Sequence, residues 1–149
     1  MESRKSLLCF ALVAGVLLVF ADCASTRTLL PTEGIDEIRG TWVNPEYDGT
    51  YSGKVVITPE RSIVWYRFIK SETPLGSESL EVDEKWADSR GAVYFMLHAK
   101  SDLHDMMLLV KVGPDMTSME MLDATRRELL PAAMKPDAPY CTYHIWYRP

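Results

Sequence analysis

From Arg39 onward the chain repeats one pattern: a short run rich in Val, Ile, Tyr, Trp and Met, then a cluster of turn-forming residues. Such a rhythm predicts an all-β sandwich or barrel. The runs fall at 39–44, 54–58, 63–70, 80–86, 93–99, 106–112, 117–122 and 141–148, which predicts eight strands. Turn chemistry separates them, as in Pro59-Glu60-Arg61, Asp88-Ser89-Arg90-Gly91 and Gly113-Pro114-Asp115. Within 80–86, Leu80, Val82 and Trp86 share one face, with Glu84 as its odd charged member. The run 93–99 is almost continuously apolar, so both of its faces are expected to be covered. From Asp123 to Lys135 the rhythm breaks, and Asp123 is placed to cap a short helix reaching Leu130 before Pro131. The expected fold is therefore all-β: an antiparallel up-and-down meander of about eight strands. It closes as a small barrel when the last strand pairs with the first, with one short helix before the last strand.

The first 22 residues follow a different pattern. A short basic start (Arg4, Lys5) leads into an uncharged apolar stretch from Leu7 to Ala21, then into small and polar residues. These are the three parts of a secretory signal. The apolar stretch, about 15 residues, falls short of the roughly 20 that span a bilayer. The sequence thus divides into a signal at 1–22, a linker at 23–37 and a domain at 38–149. The linker segment ASTRTLLPTE reads as a short leash.

Charge narrows the partners. The net charge is −5, and removing 1–22 takes two acids and two bases, leaving it at −5. An acidic domain repels phosphate backbones, so nucleic acid is not an expected partner. Of the three cysteines, Cys9 lies in the signal, Cys23 at its exit and Cys141 near the C-terminus. A disulfide-dependent secreted domain would carry more. A single Cys23–Cys141 bridge is open to the chain; with Cys23 otherwise engaged, Cys141 is a small packing residue.

The residues Phe20-Ala21-Asp22-Cys23 resemble the lipobox of bacterial lipoproteins. In that family an apolar–small–small stretch precedes a cysteine that receives lipid and becomes the mature N-terminus. Asp22 departs from the small residue usual there. The resemblance implies lipidation at Cys23 and a protein held to a membrane of the cell envelope, at the outer membrane or the periplasmic face. The alternative is ordinary cleavage near Ala24 or Ser25, releasing a secreted or periplasmic protein. Attached acyl chains contribute about 0.8 kcal/mol per buried CH₂, so two or more anchor stably.

The first predicted strand holds Gly40-Thr41-Trp42, which looks like the G-x-W signature at the start of the lipocalin barrel, in the wider calycin group. The resemblance implies structural roles for Gly40 and Trp42, with the Trp closing one end of the barrel. It also implies an Arg from a late strand stacked on that Trp, for which Arg148 is the candidate. A second family motif, of T-D-Y type, is absent, and the domain is shorter than most lipocalins.

Candidate chemistry is sparse. His98, Asp102, His104 and Asp105 cluster in HAKSDLHD, where a zinc ion would find suitable donors, but such turns collect these residues for other reasons. The methionines of the second half suit an adaptable apolar pocket better than Cu(I), since no tight M-x-x-M array occurs. No G-x-S-x-G elbow and no Gly-rich phosphate loop is present, so neither catalysis nor a cofactor is expected. Eight strands enclose either a side-chain-filled interior or one small ligand. Alternation nominates Tyr66, Phe68, Tyr94, Met96, Met106 and Leu108 as the lining for a small apolar ligand. The competing expectation is an envelope interaction or scaffold protein with a solid core.

Overall fold

A computed structural model describes residues 26–46 and 53–149. The signal segment, Cys9 and Cys23 lie outside the described residues. Nine strands are described: β1 (Thr28–Leu29), β2 (Gly40–Val43), β3 (Lys54–Ile57), β4 (Ser62–Tyr66), β5 (Gly76–Ala87), β6 (Val93–Lys100), β7 (Asp105–Val112), β8 (Ser118–Ala124) and β9 (Thr142–Tyr147). Every pairing is antiparallel.

Strands β2 to β9 follow one another around a closed barrel. Closure comes from β9 meeting β2 at Val43 and Tyr147. The long strand β5 bends across two neighbours. Its first part (Gly76 to Ser79) pairs with β4, and the part from Ser79 to Ala87 pairs with β6. β1 is an additional strand laid against the far end of β5, with Thr28 opposite Ala87 and Leu29 opposite Trp86.

The barrel interior is packed. Trp42, Val55, Ile57, Ile63, Phe95, Leu97, Leu108, Val110, Met119, Met121 and Trp146 are almost completely withdrawn from solvent. A second cluster covers the outside of β6, β7 and β8. There Trp86, Tyr94, Met96, Met107, Leu109 and Leu122 pack beneath Leu130, Ala138 and the 125–141 segment. This explains the almost continuous apolar run of β6: alternate residues serve two cores.

The segment expected to be a helix is not one. Asp123 lies in β8, and only a single 3₁₀ turn forms at Arg127–Leu129. Asp123 instead accepts the backbone N–H of Thr142, on β9. Part of the expected linker packs on the barrel: β1 pairs with β5, and Ile35 is buried in the interior core beside Ile38, the first residue of the expected domain.

A β-bulge between Val82 and Glu84 resets the alternation of β5. Trp86, expected to share a face with Leu80 and Val82, therefore turns outward. Its ring stacks on Tyr94 at 5.2 Å, and the Arg27 guanidinium lies 3.7 Å above it. Glu84 also turns outward, where Arg27 and Arg127 pair with it. Lys85 turns inward and is 7% exposed. Its charge is met by Glu37 at 2.9 Å and by the Gly34 carbonyl at 3.0 Å.

Candidate functional site

The two ends of the barrel differ. At one end the chain plugs the interior with Ile35, Ile38 and Trp42. The Trp42 indole N–H donates to the Ile38 carbonyl at 2.7 Å. Arg148 lies across the Trp42 ring at 4.2 Å and donates to the carbonyls of Glu37, Arg39 and Met116. Gly40 adopts φ +115°, and a Cβ there would stand 2.9 Å from Arg148 Nη1. Both constraints favour glycine.

The opposite end is open. A cavity of about 700 Å³ occupies the mouth, where Trp65 of β4, Glu78 of β5, Met106 of β7, Asp123 of β8 and Trp146 and His144 of β9 converge. Strand alternation produces this set. Trp65 follows Ile63 on the inner face, Glu78 precedes Leu80, Met106 precedes Leu108, Asp123 follows Met121, and His144 precedes Trp146. The rim combines Arg67, Leu75 and Gly76 with the Ser101–His104 turn. The Ser101 hydroxyl accepts the backbone N–H of Leu103 and His104, which fixes that turn.

Trp65 and Trp146 form an aromatic wall, and polar and charged side chains make up much of the remaining lining. The Trp65 and Trp146 rings meet edge to face, 6.3 Å apart at 60°. The His144 ring lies 6.0 Å from Trp146, and its Nε2 is 3.6 Å from an Asp123 carboxylate oxygen. Glu78 is 5% exposed and accepts the Trp65 indole N–H. The Trp146 indole N–H is buried and has no partner among the described residues.

Of the six residues nominated as lining, Met106 borders this cavity. Leu108 is fully buried in the packed interior. Tyr94 and Met96 belong to the outer cluster, because β6 turns Phe95 and Leu97 inward instead. Tyr66 alternates outward from Trp65, with Lys54 Nζ 4.2 Å over its ring. Phe68 lies beyond the end of β4 and is 54% exposed. The sequence reading missed Trp65, Glu78, Asp123, His144 and Trp146. Their phase relative to Ile63, Leu80 and Met121 was the available signal.

The HAKSDLHD residues separate. His98 hydrogen-bonds Asp105, which holds that carboxyl below its ordinary range, while Asp102 and His104 border the mouth. Among the described residues no three His, Cys, Asp or Glu side chains are grouped to hold a metal ion. Cys141 has no disulfide partner among the described residues; its half-buried thiol donates to the Leu129 carbonyl, and burial pushes its pKa up.

Comparison of the chain with protein-family models, with curated proteins and with solved structures finds no match.

Proposed function

We propose that this chain is a lipid-anchored protein of the bacterial envelope whose lipocalin-like barrel binds a small, largely apolar molecule in its open end. The observation that carries the binding reading is the cavity itself. Its volume of about 700 Å³ lies within the roughly 300–1,000 Å³ of small-molecule sites. Its lining joins an apolar part, Trp65, Trp146, Met106, Leu75 and Leu103, to convergent polar groups that can orient a ligand.

The anchoring reading is supported by the signal pattern and by Cys23 at its exit. β1 runs antiparallel to β5, so the chain reaches Thr28 from the plugged end. The five residues from Cys23 to Thr28 extend at most about 17 Å. An anchor at Cys23 would then hold the plugged end near lipid and leave the mouth facing away from it.

A scaffold role is the second reading, favoured by the exposed apolar side chains around the mouth: Leu103 (88% exposed), Leu75 and Phe68. One experiment addresses both readings. Phenylnaphthylamine, an apolar fluorophore, is titrated against the protein and against Met106→Trp, which fills the cavity. Saturable binding that Met106→Trp abolishes supports the carrier. Absence of binding to the wild-type protein overturns it in favour of the scaffold. Separately, the mass of the N-terminal peptide from native membranes tests the anchor. Diacylglyceryl mass on Cys23 supports it, and a bare peptide starting near Ala24 overturns it.

A further inference from the structure

Strand β5 carries two buried charges, and it treats them differently. Lys85, at the plugged end, is neutralised within the chain by Glu37 and the Gly34 carbonyl. Glu78, at the open end, borders the cavity. It has one partner among the described residues, the Trp65 indole N–H, and no described cation stands within ion-pair distance. A carboxylate withdrawn from water costs several kcal/mol unless its charge is compensated.

We propose that the mouth selects molecules carrying a protonated amine on a flat apolar body, an inference that rests on the ligand-binding reading above. The ammonium group sits against Glu78 and supplies the missing counter-charge. The apolar body lies along Trp65 and Trp146, whose π-faces also attract a cation. Asp123 on the opposite wall and Asp102 on the rim add negative potential. Arg67 on the rim, with His104 and His144, completes the charged and titratable lining. A longer apolar tail would leave between Leu75 and Leu103.

The test compares three probes that share one aromatic body: naphthylethylamine, naphthylethanol and naphthylacetate. Binding is measured by equilibrium dialysis near neutral pH. The amine is expected to bind about tenfold more tightly than the alcohol, as a charge-assisted hydrogen bond implies, with the acid weakest. Glu78→Gln keeps an acceptor for Trp65 and is expected to erase the preference of amine over alcohol. If amine and alcohol bind the wild-type protein equally, the cation preference is overturned and the binding site stands. If none of the three binds, both readings are overturned. The wild-type comparison decides the matter even if the variant folds poorly.

Discussion

The Arg148 guanidinium, just after β9, lies 4.2 Å from the centroid of the Trp42 ring of β2 and joins the two strands at the plugged end of the barrel. Three backbone carbonyls accept its N–H groups. Among the described residues the β9–β2 pairing otherwise rests on one pair, Val43 with Tyr147. Arg148 is therefore the main clasp of the closure. Arg148→Ala is expected to cost about 2–3 kcal/mol in urea unfolding, from the lost stacking and charge-assisted hydrogen bonds. Gly40→Ala is expected to cost about 1–3 kcal/mol through its positive φ and the displaced guanidinium. An unchanged midpoint in either variant would contradict this role.

The Lys85–Glu37 pair makes the opposite kind of prediction. Lys85→Met removes a buried charge and leaves Glu37 partly buried without its partner. The expected cost is about 3 kcal/mol. Adding Glu37→Gln is expected to restore part of that loss, because no uncompensated charge remains. Strictly additive effects in the double-mutant cycle would show that the two side chains do not interact.

Alkaline pH weakens a third group. Tyr143 donates to Glu120 at 2.8 Å, and burial, with that hydrogen bond, pushes its pKa up to about 12. The hydrogen bond from Lys111 to Glu120 likewise raises the lysine pKa. Both groups hold protons more tightly in the folded chain than in the unfolded one. The tyrosine's contribution is complete below its unfolded pKa of about 10 and is lost as pH rises through about 12; the lysine's is lost as pH rises through its own raised pKa. Phenolate absorbance should show late-titrating tyrosines, since burial also raises Tyr94, and the component near pH 12 should disappear in Tyr143→Phe. The variant should also lose stability less steeply above about pH 10.

The pattern of apolar runs made the barrel legible because strand periodicity survives as long as each strand has one buried face. All eight runs became strands. The helix expected after Asp123 did not form, since Asp123 is used by the β8–β9 pairing. The lining was less legible for two local reasons. The bulge at Asp83 exchanges inside and outside along β5, and nothing in LEVDEKW marks it. On β6 both faces are apolar, so alternation could not decide between Tyr94 with Met96 and Phe95 with Leu97. Glu78 escaped notice because it precedes the apolar run that starts at Leu80, whereas β5 itself begins at Gly76.

The central claim, a small-molecule site in the open end, can be read from the chain's own four tryptophans. Trp65 and Trp146 border the mouth, whereas Trp42 sits in the plug and Trp86 on the outer face. The indole N–H signals of labelled protein are followed by NMR during titration with phenylnaphthylamine. Saturable shifts are expected at Trp65 and Trp146, with Trp42 and Trp86 unmoved. Shifts confined to Trp86, or no shift at any indole, would contradict it.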